Sequence, residues 1–352
     1  NEDRGNTSTR YNMAVPDPNL KDIFIDEALG APTGIIKNSL STIIPWKEKL
    51  VNFMSYVSYQ NDRQNLSATN ENFFDLDQQF GSDSTSIHYG RLDQRIALKT
   101  LNANHSASVG FSYKKLTITP EVGLNLSFND MNSQLYGDRN LLDGRFQNRM
   151  KWNEINPYTK VGLNYQGNAL NISINLPLNM YGIDYKDLLR TKDSEINKTV
   201  FEPTFYGSYD FASFWKISAY GGLNYDFGNF GSVYDGTILI NPKSLNAKDS
   251  NLLPEHRNIN SSARLEYRNT LNNLFFNARY SYNDAKRNII TKYRPFASGA
   301  SAVTLEYIDN NSFSESESAE IGKYFPKFKT NASVNFSNRD SNSFSILVDQ
   351  NK

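Results

Sequence analysis

Apolar and polar residues alternate along unusually long stretches of this chain. Residues 169–180 read ALNISINLPLNM, and every second residue from Leu170 to Met180 is apolar. Successive side chains of a β-strand point to opposite faces, so this pattern predicts a strand with one apolar and one polar face. The same alternation recurs at 116–128, 215–227, 274–282 and 328–336.

Short connections alternate with long ones. Each of these strands follows a partner strand across a short connection, at 114–115, 166–168, 212–213, 269–273 and 326–327, and a first pair turns at 45–47. The connections between these pairs are long and polar, at 62–95, 130–153, 182–199, 228–258 and 284–315. We therefore predict hairpins whose short turns share one side and whose long, irregular loops share the other, as in membrane β-barrels.

Strand length and aromatic residues support the same architecture. The stretch from Trp215 to Phe227 is twelve residue steps, or about 40 Å at roughly 3.3 Å per residue, enough to cross about 30 Å of bilayer at a tilt near 40°. Two aromatic belts at the level of the lipid headgroups are expected. Near the short turns they comprise Trp46, Tyr113, Tyr165, Phe211, Trp215, Phe275, Phe325 and Phe328, and near the long loops Tyr59, Phe128, Tyr181, Phe227, Tyr282 and Phe336.

Charged residues within the alternation predict which face meets water. Arg264, Glu266, Arg268 and Arg279 alternate with apolar neighbours, and a charge on the lipid face costs roughly 2–4 kcal/mol at the midplane. We therefore expect these four residues to face the lumen. There they could line a water path, contact a plug or pair across strands.

Composition and motifs argue against several kinds of function. The 37 Lys and Arg balance the 37 Asp and Glu, which gives no general attraction to nucleic acid, and the absence of Cys excludes disulfides and thiolate sites. His88, His105 and His256 lie in different segments without a ligand at i+3 or i+4. We find no nucleophile elbow or phosphate loop. The prediction is a protein that is not an enzyme, with no catalytic residue, cofactor or metal site.

Several short motifs, in order along the chain, resemble one family. They are Gly110-Phe111-Ser112-Tyr113 in the hairpin 106–128, Phe201-Glu202-Pro203, and Asn251-Leu252-Leu253-Pro254-Glu255 followed by the strand around 264–268. Over residues 30–345 the chain resembles the outer-membrane β-barrels related to TonB-dependent transporters of Bacteroidota-type bacteria. The resemblance implies import of a bulky nutrient across the outer membrane of a Gram-negative bacterium. The implied partners are outer-membrane lipid, a plug domain and a periplasmic energy-coupling protein.

The chain also departs from complete members of that family. Such transporters have barrels of twenty-two strands, whereas about twelve are predicted here, with no plug-like segment and no aromatic residue at the end of the sequence. We expect an all-β, antiparallel transmembrane β-barrel present as an internal portion of a larger barrel. Residues 1–30 are predicted to be an irregular segment, and 31–352 the barrel portion with long extracellular loops.

Three functions remain open from the sequence. The first is a nutrient importer. The second is a non-transporting outer-membrane scaffold or binding barrel, for which a surface lipoprotein is a candidate partner. The third is a soluble all-β binding protein, which would be a compact monomer without detergent.

Overall fold

The chain is built almost entirely of β-strands. The computed structural model describes residues 4–11, 23–47, 49–75, 88–190, 192–234, 236–241, 244–246, 253–295 and 301–347. In these ranges, none of the helices has the length and apolar character to span a membrane. The only helical segments in them are two short 3-10 turns, Gly144–Phe146 and Phe230–Ser232.

The described ranges contain twenty strands, and eighteen of them form a single sheet. In chain order they are β1 (Arg4–Tyr11), β2 (Ile23–Gly30), β3 (Thr33–Trp46), β4 (Lys49–Asp75), β5 (His88–Val109), β6 (Phe111–Tyr113), β7 (Leu116–Gly137), β8 (Asn140–Leu141), β9 (Gln147–Gln166), β10 (Leu170–Asp187), β11 (Lys192–Phe201), β12 (Thr204–Phe211), β13 (Trp215–Asp226), β14 (Ile238–Asn241), β15 (Ser244–Asn246), β16 (His256–Asn269), β17 (Leu274–Pro295), β18 (Ser301–Phe325), β19 (Thr330–Asn342) and β20 (Ile346–Leu347).

The long strands pair antiparallel with their neighbours in sequence, which confirms the predicted all-β antiparallel fold. All six predicted hairpins are present, β3–β4, β6–β7, β9–β10, β12–β13, β16–β17 and β18–β19. Five of their short turns contain a non-glycine residue with positive φ, namely Lys47, Lys114, Ala212, Asn273 and Lys329. Within the described ranges β19 pairs with β18 and no pairing joins it to β1, so these strands form an open sheet.

Two features differ from the sequence prediction. The connections predicted to be irregular are largely continuations of the strands, since β4 pairs with β5 up to Asp75 and His88, and β17 pairs with β18 up to Pro295 and Ser301. The apolar residues of these extensions lie on the opposite face from those of the lower strands, as at Met131 and Leu135 of β7, so the alternation is interrupted between the two parts. Residues 1–30, predicted to be irregular, contain β1 and β2, which pair with each other.

The pairing register divides the side chains between two faces. Ile174 and its partners Leu163 and Phe205 lie on one face together with Ile172, and we call this the outer face. The residues between them, such as Asn171 and its partners, lie on the opposite face, which we call the inner face. The polar and apolar residues of the alternation therefore remain sorted between the two faces from strand to strand.

The polarity of the two faces reverses toward the upper end of the sheet, by which we mean the end away from the short turns. On β10 the outer residues change from Met180 to Asp184, whereas the inner residues change from Asn179 to Ile183 and Tyr185. The inner apolar residues of the upper end are buried in one cluster. It includes Met131, Met150, Trp152, Ile183, Tyr185, Val200, Phe227, Val233, Tyr234, Ile238 and Leu253.

A segment from outside the long strands covers this cluster. Residues 227–239, which we call the cover segment, follow β13 and lead into the small β14–β15 hairpin. Phe227, Val233 and Ile238 pack in the cluster, and Leu239 packs in a neighbouring one with Leu92. The apolar upper part of the inner face is therefore buried beneath the cover segment.

Candidate functional site

The lower inner face of β13 and β16–β19 is a polar surface. One row across these five strands contains Ser218, Arg264, Arg279, Ser318 and Ser337, each directly opposite the next. The row above it contains Tyr220, Ser262, Ser281, Ser316 and Arg339. Hydroxyl, amide and guanidinium groups therefore line this face, opposite an outer face with Ile217, Leu265 and Phe336.

The four charged residues predicted to face the lumen all lie on this inner face. Arg264 is opposite Arg279, and Glu266 and Arg268 follow on the same side of β16. Arg264 forms an ion pair with Glu266, with 2.7 Å between Nε and Oε1, and Nε also donates to the Asn277 side-chain oxygen at 2.7 Å. The ion pair is within one strand and the hydrogen bond crosses to the next. That this face encloses a lumen stays a prediction.

Two concave regions lie along this part of the sheet. The larger encloses about 660 Å³ and is lined by serines and asparagines of β16–β18 together with Tyr220, Arg279 and Arg339. The smaller, about 470 Å³, lies nearer the short turns beside Arg264, Glu266 and Arg268. The larger region is comparable in size to the sites that bind small ligands.

A second set of polar contacts lies on the inner face of β7 and β9. Glu121 accepts a hydrogen bond from the Tyr158 hydroxyl at 2.8 Å and pairs with the Lys160 ammonium at 2.8 Å. The ladder explains this contact, because Glu121 is directly opposite Lys160 and Gly123 is opposite Tyr158. Glu121 and Lys160 therefore neutralise each other across the two strands.

Glu202, at the break between β11 and β12, contacts two other strands, β10 and β13. Its carboxylate accepts hydrogen bonds from the Tyr225 backbone N–H at 2.6 Å and from the Asn179 side-chain amide. The Tyr181 hydroxyl lies 3.4 Å from the same carboxylate. Sequence reasoning did not identify this role. The Glu202-Pro203 pair was a usable signal, because proline cannot donate a ladder hydrogen bond.

The cover segment is attached to the upper inner face by buried polar contacts. The Gly236 N–H donates to the Asn148 side-chain oxygen at 2.6 Å, and the Leu239 N–H donates to the Gln94 side-chain oxygen at 3.1 Å. Both acceptors are buried. The segment therefore lies on the inner face in a defined position, above the polar surface of the lower half.

Three predicted belt residues, Phe227, Tyr181 and Phe275, lie away from the outer face. Phe227 is only 3% exposed and packs against Tyr181, with ring centroids 4.8 Å apart, so it does not face lipid. The chain leaves the sheet at Asp226, which frees Phe227 to turn into the upper cluster. Tyr181 lies on the inner face of β10, which likewise separates it from the predicted belt.

Phe275 also departs from the predicted belt, because it lies on the inner face of β17 opposite Gly322. The remaining belt residues keep the outer phase of their strands or lie in a turn. Trp46, Tyr113, Tyr165, Phe211, Trp215 and Phe325 are outer residues near the short turns, Phe128, Tyr282 and Phe336 are outer residues farther up, and Phe328 lies in the last turn. Stacked rings connect Phe211 to Trp215 at 6.2 Å. Their placement in two lipid headgroup layers remains a prediction.

The histidines lie apart from one another. His105 is on the outer face of β5, where its Nδ1 lies 2.9 Å from the Ser55 hydroxyl oxygen. His256 is on β16, with Nδ1 3.8 Å from the Asp226 carboxylate. Across the described ranges, no three His, Asp or Glu side chains converge in a way that could hold a metal ion.

Comparison with solved structures identifies the fold. The copper transporter OprC matches with a TM-score of 0.51 at 11% identity, over 96% of this chain and 54% of that one. The ferric-catecholate import receptor Fiu from K12 E. coli has a TM-score of 0.48 at 10% identity, with 90% and 48% covered. The Serratia marcescens hemophore receptor HasR, solved with its hemophore HasA and heme, has 0.43 at 10% identity, with 91% and 58% covered.

The chain has the barrel fold of TonB-dependent outer-membrane receptors. It spans about half the length of the solved structures that it matches. These neighbours are transporters and receptors and not enzymes. No protein-family model matches the sequence, and no curated protein matches it either. The Bacteroidota-type origin therefore stays a prediction.

Proposed function

We propose that this chain forms part of an outer-membrane barrel that imports a bulky nutrient. The observation that carries the proposal is the two-faced sheet, with an apolar outer band and a polar, partly charged inner face, in a fold shared with OprC. An apolar outer band fits contact with hydrocarbon, and a polar inner face fits a hydrated path. The nutrient would pass along the inner face of the completed barrel.

The partners of this function follow from the same proposal. Lipid would contact the outer face, a plug domain would occupy the lumen, and a periplasmic protein would supply energy through the plug. OprC is named a copper transporter and Fiu an import receptor, which supports an import role at the level of the fold. The ligand itself is a separate question, because identities near 10% do not transfer specificity.

Uptake by cells tests the transport proposal. A strain lacking the gene is compared with one that carries it, each supplied with labelled nutrients too large for general porins. We expect the deletion strain to lose uptake of at least one such nutrient, and uncoupling of the inner membrane to abolish the difference. Unchanged uptake of every nutrient would contradict the proposal.

A non-transporting scaffold is the second candidate, and the cover segment is the observation that favours it. This segment packs on the upper inner face through the Asn148 and Gln94 contacts, a position that narrows the path along that face. A surface lipoprotein is the partner we would then expect. The scaffold predicts that deletion releases that lipoprotein from the cell surface without any change in uptake.

The exposed outer face argues against a soluble binding protein. Ile36, Val122 and Val334 are 72%, 57% and 70% exposed, which in water would leave an extended apolar band uncovered. We propose the outer membrane of a Gram-negative bacterium as the location. Recovery of the intact protein in the soluble fraction without detergent would overturn this placement.

A further inference from the structure

The outer face carries a group of basic side chains directly above its apolar band. Arg63 of β4, Lys99 of β5, and Arg149 and Lys151 of β9 lie on this face and are exposed. We call these four residues the outer cationic patch. In the two ladder rows that hold them on β4, β5, β7 and β9, Asp130 is the one acidic residue. Four positive charges against one negative charge leave a net charge of +3 on this surface.

The strand register sets the width of the outer cationic patch. Lys99, Asp130 and Lys151 are directly opposite one another across β5, β7 and β9. Arg63 and Arg149 lie together in the next row up. Neighbouring strands are about 4.8 Å apart, so the Cα atoms of Lys99 and Lys151 are separated by about 10 Å. The patch is therefore wide enough to contact two anionic groups of one molecule.

Pairing within the sheet does not account for these cations. None of the four forms an ion pair with a described residue, although Asp130 is directly opposite both lysines. On the inner face of the same sheet, by contrast, Lys160 pairs with Glu121. Each of β4, β5, β7 and β9 has a strand on both sides, so no strand edge explains the unpaired charges. An unpaired cation keeps its attraction for an external anion.

The surface directly below the patch is apolar. Leu101 and Phe128 lie opposite each other in the row just below Lys99, and Ile155 continues this band on β9. Leu101 and Ile155 are 37% and 47% exposed. Lysine and arginine at the edge of an apolar membrane surface attract anionic lipid headgroups. The cations above and the apolar band below therefore match the two ends of one amphipathic molecule.

We propose that the outer cationic patch binds the phosphate groups of a bisphosphorylated glycolipid, whose acyl chains lie along the apolar band. The inference rests on the proposed placement of this chain in the outer membrane. Two phosphates fit the patch better than one, because Asp130 separates the cations of β4 and β5 from those of β9. Arginine and lysine are the side chains that bind phosphate in proteins.

Lipid binding to the purified full-length protein in detergent tests the patch. Native mass spectrometry measures the bound fraction of lipid A with two phosphates, with one and with none, beside phosphatidylglycerol and inorganic phosphate. We expect the bisphosphorylated lipid to bind at least about ten-fold more tightly than each of the other probes except the monophosphorylated form, which should be intermediate. Equal affinity for the bisphosphorylated and unphosphorylated lipids overturns the proposal. So does equal affinity for phosphatidylglycerol or for inorganic phosphate.

Matched substitutions locate the binding. Lys99→Gln and Lys151→Gln should each weaken the bisphosphorylated lipid about five-fold, and the double variant about twenty-five-fold if the two sites act independently. Lys323→Gln makes the same change on the outer face of β18 beside the last short turn and should leave affinity unaltered. Unchanged affinity in the double variant overturns the proposal. So does loss of a co-purifying protein with unchanged lipid affinity, because the patch would then bind an acidic partner.

Membrane placement is measured separately from lipid binding. Heat-resistant migration in detergent gels verifies that each variant is folded, and a spin label at Ile174→Cys reports whether the outer face meets hydrocarbon in reconstituted vesicles. A label in hydrocarbon together with no preference for the phosphorylated lipid would contradict the site alone. A label exposed to water would contradict the proposed placement in the membrane, whatever the affinity for lipid.

Discussion

At the scale of single residues, glycines allow aromatic rings to lie flat on the inner face. Tyr158 covers Gly123 directly opposite on β7, and Phe275 covers Gly322 directly opposite on β18. A Cβ at Gly123 would lie 2.4 Å from the Tyr158 ring, and one at Gly322 would lie 2.1 Å from the Phe275 ring. Glycine within a strand marks such a close approach.

We expect Gly123→Ala to destabilise the protein by about 1–3 kcal/mol, as over-packing in a filled site does. The new methyl group would displace the Tyr158 ring and lengthen its hydrogen bond to Glu121. Gly221→Ala is the control, because a Cβ there would contact nothing within 4 Å. Urea unfolding in phospholipid vesicles measures the free energy of unfolding of both variants. Equal stability of Gly123→Ala and Gly221→Ala would contradict the close approach of the Tyr158 ring.

One carboxylate of the upper strands links stability to pH. Burial alone would raise the pKa of Asp93, but hydrogen bonds from the Arg91 guanidinium and the Ser67 hydroxyl outweigh burial and lower it. The Arg91 guanidinium approaches at 2.8 Å. Because the folded-state pKa is depressed, this stabilisation is present above the unfolded value near 3.9 and is lost as pH falls through the folded value.

Asp93→Asn should therefore lower the free energy of unfolding at pH 7 by about 0.5–1 kcal/mol, the range for a partly exposed pair. The difference from wild type should shrink as the pH falls well below 4, since Asp93 itself becomes neutral there. Denaturant unfolding at pH 7 and at a pH well below 4 measures this difference in the free energy of unfolding. The control is Asp130→Asn, since Asp130 lies on the outer face without a side-chain partner among the described residues. If the difference in stability between Asp93→Asn and wild type did not depend on pH, the linkage would be refuted.

At the scale of elements, the cover segment is attached by the close approach of its backbone. Gly236 packs so tightly that a Cβ there would lie 2.3 Å from the Gln147 carbonyl oxygen, which belongs to the backbone of β9. A backbone carbonyl oxygen in a strand cannot move away by a change of rotamer, as a side-chain atom can. The contact is therefore specific for glycine, although φ at this position is not positive.

Gly236→Ala should detach the cover segment while the sheet stays folded. We expect amide hydrogen exchange over residues 233–239 to accelerate about ten-fold or more, which corresponds to roughly 1.4 kcal/mol of local stability. Gly144→Ala lies nearby and has open space around its Cβ, so it should leave exchange unaltered. Exchange in β7 and β9 reports on the sheet, and unaltered protection of 233–239 would show that the contact does not hold the segment.

At the scale of the whole molecule, the two faces of the sheet change polarity toward its upper end, as the long strand β10 shows. Below the change the outer residues are apolar, as at Ile174, and above it they are charged, as at Asp184 and Lys186, which pair at 3.3 Å. The inner residues change in the opposite sense, from Asn175 to Ile183. The outer change fits the proposed placement of the lower part in a bilayer, and the inner change follows from burial of the upper inner residues beneath the cover segment.

Site-directed spin labels test this arrangement, and the absence of Cys permits one label at a time. In the protein reconstituted in lipid, a label at Ile174→Cys should contact oxygen dissolved in the bilayer, and a label at Asn175→Cys should contact a water-soluble nickel reagent. A label at Asp184→Cys, on the same face as Ile174, should also contact the nickel reagent. Identical accessibility at Ile174 and Asn175 would refute the two-faced sheet.

Much of the fold follows from local sequence. The alternation of residues 170–180 and the turns at Lys114 and Ala212 predicted the hairpins, because the period of two and the tightness of a turn depend only on neighbours in the chain. The upper strands were missed as strands, although their signal was present. On β7 the apolar residues shift from even positions, ending at Phe128, to odd positions at Met131 and Leu135.

The tertiary structure alone decided which distant segments meet. Phe227 joins Trp152 in a buried cluster, the Gly236 N–H donates to Asn148, and Arg279 and Arg339 line one concave region. The two residues of each pair are at least 60 positions apart in the sequence. A period of two assigns a residue to a face of its own strand, but it carries no information on which other chain segment covers that face. Strand register and the path of residues 227–239 supply that information.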